Sequence, residues 1–116
     1  MYRTIHEDEW QDTVIKACRS YRFRVMGMRK SSREIGGKWV SNLLGDGKGW
    51  PDIVAFEESE PHRMFAFELK REGEKATPEQ VSWLQRLDAC GFKSYVLRPS
   101  DVDKLTQLLE GEEWEA

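Results

Sequence analysis

Asp52, Glu68 and Lys70 are the residues of this chain whose types and spacing are best suited to chemistry. Fifteen residues separate Asp52 from Glu68, and only Leu69 separates Glu68 from Lys70. The two charges close the run Met64-Phe65-Ala66-Phe67, which is apolar throughout. An unpaired charge in such a strand is costly, so the pair must be mutually neutralised, placed at an edge or bound to a metal. Residues two apart on a strand share a face, so Glu68 and Lys70 point together while Leu69 turns away with Phe65 and Phe67. Two carboxylates and one backbone carbonyl make a hard oxygen site suited to Mg²⁺. Such a cation lowers the pKa of a water and neutralises charge on a phosphoryl group. Lys70 would orient or help deprotonate the attacking water and stabilise the pentavalent transition state. By itself a Glu-x-Lys triplet is equally an ordinary ion pair at a strand end. Its weight comes from the elements around it.

Those elements are legible as α-β-β-β-α-β-α. Thr4 and Glu7 have the form of a capping box, and Trp10, Val14, Ala17, Cys18 and Tyr21 recur at helical spacing, predicting a helix from Ile5 to Ser20. Phe23 to Met28 alternates as a strand does, and Pro51 opens a second strand, Asp52 to Phe56. Met64 to Lys70 is the third. A short antiparallel connection between the second and third strands would bring Asp52 beside Glu68 and Lys70. Thr77-Pro78-Glu79-Gln80 starts a helix that runs through Val81, Leu84 and Leu87 to a stop at Gly91. A fourth strand, Ser94 to Leu97, ends at Pro99. The last helix, Ser100 to Glu110, turns Val102, Leu105, Leu108 and Leu109 inward. This order implies a mixed sheet flanked by helices in one domain, 1–116.

Residues 30–50 show little periodicity and hold five glycines, Gly36, Gly37, Gly45, Gly47 and Gly49. A structureless stretch of that length is unusual in a compact domain. Arg33, Lys38, Lys48 and Trp39 equip it to grip a phosphodiester chain and stack on a base. A disordered linker and a short hairpin are the alternatives. The net charge is −3, yet residues 16–48 carry nine Lys or Arg against two acids. A basic block can track phosphates whatever the total charge, because screening makes the local field decide. Cys18 and Cys90 fall in apolar helical stripes and read as reduced, packed thiols, and His6 and His62 show no ligand-like spacing. No run approaches the roughly 18 apolar residues that span a bilayer, and the acidic N-terminus is unlike a leader, which predicts a cytoplasmic protein.

Taken together, Gly49-Trp50-Pro51-Asp52, Glu68-Leu69-Lys70, the Thr77-Pro78-Glu79-Gln80 helix and the strand ending in Arg98-Pro99 resemble the PD-(D/E)xK nuclease superfamily, and more closely its virus-type VRR-NUC branch. Glu7-x-x-x-Gln11, ahead of the basic strand and Gly-rich loop, is also similar to family members, so the resemblance spans nearly the whole chain. It implies a restriction-endonuclease-like α/β core and a metal-dependent endodeoxyribonuclease. Asp52 and Glu68 would bind Mg²⁺ with the carbonyl of Leu69, Mn²⁺ substituting, and Lys70 would be the catalytic lysine. Glu7 would reach the metal directly or through water, and Gln80 would help position the site or the scissile phosphate. For Glu7 and Gln80 a helix-capping role is the alternative. Arg29, Lys30, Arg33, Lys38, Lys48 and Arg71 are the candidate DNA contacts, with Arg98 a further phosphate contact. Small stand-alone members of this kind act as dimers on branched DNA such as Holliday junctions, so a homodimer is expected by analogy. A DNA-binding or assembly module that keeps the fold without catalysis is the alternative function.

Overall fold

The structure, a computed structural model, describes residues 7–28, 32–35, 38–41 and 45–111, and of Glu7 and the segments 32–35 and 38–41 it describes the backbone alone. Helix α1 (Glu7–Ser20) leads into strand β1 (Phe23–Gly27). A two-stranded antiparallel hairpin follows, β2 (Ser32–Ile35) and β3 (Lys38–Ser41). Strands β4 (Ile53–Glu57) and β5 (Met64–Leu69) precede helix α2 (Pro78–Ala89). Strand β6 (Lys93–Leu97), a 3₁₀ turn at Pro99–Asp101 and helix α3 (Val102–Glu110) complete the chain.

The main sheet has the order β1-β4-β5-β6. The pairs β1/β4 and β4/β5 are antiparallel, whereas β5/β6 is parallel, as a strand-helix-strand crossover through α2 requires. It is the mixed sheet flanked by helices that the sequence predicts. The hairpin is an addition: part of the stretch with little periodicity forms the short hairpin that was one of the alternatives to an irregular loop, and Ser32 pairs with Ser41.

Strand β5 is central and buried on both faces, which explains its unbroken apolar run. Phe65, Phe67 and Leu69 join Ile53 and Ala55 on the face covered by Trp10, Val14 and Cys18 of α1 and Leu105, Leu108 and Leu109 of α3. The opposite face is thinner. There Val54 and Ala66 pack on Leu87 of α2, with Trp50 and Phe92 alongside.

At the β4–β5 turn the guanidinium of Arg63 ties three elements together. It donates to both carboxylate oxygens of Glu57, at 3.0 and 2.9 Å, and to the carbonyls of Leu108 and Leu109 at the end of α3. It also lies 5.5 and 5.4 Å from the ring centres of Phe23 and Phe65. A cation here satisfies helix carbonyls that have no partner within the helix.

Two expectations are corrected. Cys90 is exposed, not packed: it is the C-cap of α2, ahead of Gly91 with φ +103°, and its amide closes the helix end. Val102 is 42 % exposed, because the chain enters α3 through the 3₁₀ turn and rotates the first residue of the helix outward. Cys18 is buried as expected, and burial pushes its thiol up to about 12.

Two measurements check this packing. In the native protein a thiol reagent at pH 8 should label Cys90 and leave Cys18 untouched until denaturant is added. Arg63→Met should cost about 2 kcal/mol by leaving Glu57 and two helix carbonyls short of donors. Hydrogen bonding and charge from Arg63 hold the Glu57 carboxyl below its ordinary value of 4.5. The stabilisation is therefore complete above that value and lost as the pH falls through the lowered one, so the gap between wild type and variant should narrow in acid denaturation.

Candidate active site

The register of β4 and β5 sets Ile53 opposite Phe67 and Val54 opposite Ala66, which carries Asp52 to a place beside Glu68. Alternation turns Asp52 and Glu68 to the α2 face, with Val54 and Ala66. Both are buried, at 5 % and 0 % exposure. The Nζ of Lys70 lies 3.9 Å from Oε1 of Glu68, and that side chain is itself only 9 % exposed. The amide of Leu69 donates to Oδ2 of Asp52 at 2.8 Å, a charge-assisted bond that pins the carboxylate to β5. The three residues singled out by spacing are thus brought together at one end of the sheet.

The N-terminal turn of α1 closes that end from the other face. Trp10 donates its indole N–H to the carbonyl of Leu97 at 3.2 Å, and the same carbonyl accepts the amide of Lys70 at 3.0 Å. Gln11 donates to the carbonyl of Met28 at 3.2 Å, and the amide of Met28 donates to the carbonyl of Asp52 at 2.7 Å. Adjacent residues of α1 therefore clamp the strand ends on both flanks of the acidic pair. Glu7, the first residue of α1, sits one turn before them at this end of the sheet.

Helix α2 packs on the Asp52–Glu68 face through Leu87, and its first turn is closed by a complete capping box. The amide of Gln80 donates to Oγ1 of Thr77 at 3.2 Å, and that of Thr77 to Oε1 of Gln80 at 2.8 Å. Gln80 is buried, and its carboxamide oxygen is committed to the cap. The loop before Asp52 docks on the same helix end. Trp83 donates its indole N–H to the carbonyls of Asp46 and Lys48, and its ring meets Trp50 edge-on, centres 5.0 Å apart. Gly49, at φ +88°, lies against the first turn so closely that a Cβ would fall 2.6 Å from the carbonyl carbon of Glu79.

Of the candidate DNA contacts, Arg29 and Lys30 lie outside the described residues, and Arg33 and Lys38 are on β2 and β3, where the backbone alone is described, as is Trp39. Lys48 is solvent-facing and 3.6 Å from Oε1 of Glu79. The carboxyl of Glu79 is held low first by its own backbone amide and then by Lys48. Arg71 is exposed immediately after Lys70. The guanidinium of Arg98 donates to the carbonyl of Glu74 and holds the loop that follows Lys70.

Among the described residues no group of three or more His, Cys, Asp or Glu gathers at a point. The donor set is two buried carboxylates and the Leu69 carbonyl. It fits Mg²⁺, which takes one or two carboxylates and keeps several waters. Among the same residues no helix is long and apolar enough to cross a membrane.

The profile of the VRR-NUC domain family matches residues 28–101, well over half of the chain. The chain belongs to the VRR-NUC family. It is therefore of nuclease type, and the VRR-NUC match contains Asp52, Glu68, Leu69, Lys70 and Gln80 while starting after α1. No curated protein and no solved structure matches the chain. Sequence reasoning missed Trp10, read as core, and Gly49, read as loop. The signal for Trp10 was available, since a buried indole N–H needs an acceptor.

Gly49→Ala should cost about 2 kcal/mol in denaturant melts, from the positive φ and the clash with α2. Tryptophan fluorescence should change with it as Trp50 and Trp83 move apart.

Proposed function

We propose that this VRR-NUC domain is a Mg²⁺-dependent DNA endonuclease, with Mn²⁺ able to substitute, acting on branched substrates such as Holliday junctions or flaps. The observation that carries this is the meeting of Asp52 and Glu68, both buried, with the largely covered side chain of Lys70 at the ends of two neighbouring strands. Asp52, Glu68 and the carbonyl of Leu69 would hold the metal, with Glu7 as a further ligand from the first turn of α1. When bound, the metal would supply charge neutralisation at the phosphate and a lowered pKa for the attacking water.

Lys70 does two things in this scheme. Its ammonium stands against Glu68 in a site largely closed to solvent, where a charge fixed beforehand acts strongly on developing negative charge. It also orients or helps deprotonate the water. Gln80, already anchoring α2, would position the scissile phosphate with the part of its carboxamide that the cap leaves free. Lys48 and Arg71 lie on the surface at the same end of the sheet and would track the backbone, with Arg29, Lys30, Arg33 and Lys38 extending the contact along the basic segment. Lone phosphate contacts carry no sequence information, which suits selection by DNA structure. A homodimer would place two such sites on paired strands of a junction.

Glu68→Gln and Lys70→Ala should each slow Mg²⁺-dependent cutting of labelled linear, flap and four-way DNAs on the order of 10²–10³-fold. Mg²⁺ should raise the melting temperature of the wild type and not of Glu68→Gln. Cutting by Glu68→Gln at the wild-type rate would refute the assignment. Salt-sensitive DNA binding without cutting or metal stabilisation would identify a binding module instead.

A further inference from the structure

We propose that Trp10 is a positioning residue that aims the Leu69 carbonyl into the metal site, acting through the carbonyl of Leu97. The inference rests on Asp52, Glu68 and Leu69 being the metal's ligands. Its physical basis is the rigidity of one peptide unit. The bond joining Leu69 to Lys70 is planar, so the direction of its N–H fixes the direction of its C=O. That N–H belongs to Lys70 and donates to the carbonyl of Leu97 at 3.0 Å, toward β6. The C=O belongs to Leu69 and must point the opposite way.

That opposite direction is the side of Asp52. On a strand the amide and carbonyl of one residue project to the same neighbour, and the amide of Leu69 is bonded to Oδ2 of Asp52 at 2.8 Å. The peptide plane is therefore held at both ends, by Asp52 before it and by Leu97 after it. Leu97 is the last residue of β6, and the peptide unit that carries its carbonyl is held from beyond by the amide of Arg98, which donates to Oδ2 of Asp101 at 2.9 Å. Trp10 adds a restraint on the oxygen itself: its indole N–H donates to it at 3.2 Å from a ring that is 3 % exposed. An acceptor gripped by a rigid bicyclic side chain cannot swing, and the peptide plane that leans on it is fixed with it. Partners in this outer shell commonly change metal affinity by about 10–100-fold when removed.

The test uses the full chain as wild type, Trp10→Phe, Val14→Ala and Glu68→Gln. Mn²⁺ is the probe, its binding followed by the electron paramagnetic resonance of free and bound ion, with apo melting temperatures measured beside it. Trp10→Phe keeps an aromatic ring in place and deletes the donor, whereas Val14→Ala loosens the same helix and core and leaves the donor to Leu97 in place. The expected result is Mn²⁺ affinity about tenfold or more weaker in Trp10→Phe, with Val14→Ala binding as the wild type does despite an equal or larger drop in melting temperature. Should Trp10→Phe fail to fold, site-specific replacement of Trp10 by 3-benzothienylalanine removes only the N–H and should give the same loss. Wild-type affinity in the donor-less protein overturns the inference alone. Affinity falling in step with melting temperature in both Trp10→Phe and Val14→Ala also overturns it, since the role would then be structural. If wild type and Glu68→Gln bind Mn²⁺ equally, or neither binds it, the metal site itself is wrong and the inference falls with it.

Discussion

The antiparallel register that sets Ile53 opposite Phe67 is the constraint from which the remaining geometry follows. Strand side chains alternate, so a slip of one residue would send Glu68 into the apolar core beneath α1 and turn Phe67 toward α2. Phe65, Phe67 and Leu69, all essentially inaccessible to solvent, make that slip prohibitive. The register is then reinforced at its end by the bond from the Leu69 amide to Asp52, which joins a strand-pairing amide to a carboxylate. Core packing and the placement of the acidic pair are thus one decision.

Holding charged groups inside an apolar sheet requires support from both faces. On one side, Trp10 and Gln11 tie α1 to the carbonyls of Leu97 and Met28, immediately beyond the strand ends that carry Lys70 and Asp52. On the other, Leu87 seats α2 on Val54 and Ala66, and the close approach of Gly49 to its capped first turn seats the loop that delivers Asp52. The far end of the sheet is secured by Arg63, through its contacts to Glu57, Leu108 and Leu109. The division leaves one end of the sheet to stability and the other to Asp52, Glu68 and Lys70.

Where prediction and structure part, the cause is local backbone geometry that side-chain periodicity does not report. Cys90 lay in an apolar helical stripe, but the αL residue Gly91 ends α2 there and leaves the thiol outside. The glycine-rich stretch offered no periodicity, so its hairpin depended on backbone pairing between Ser32–Ile35 and Lys38–Ser41.

From sequence alone came the order of the elements, the buried face of β5, the capping box of α2 and the convergence of Asp52, Glu68 and Lys70, because each depends on period, on local turn chemistry or on the reach of a short hairpin. Tertiary structure alone decided the partners: Trp10 on Leu97, Gln11 on Met28, Gly49 against Glu79 and Trp83 over the loop carbonyls. Such contacts join positions 17 to 87 residues apart through backbone atoms. Every residue carries the same amide and carbonyl, so side-chain identity does not encode which of them a buried N–H will meet; the packed fold makes that choice.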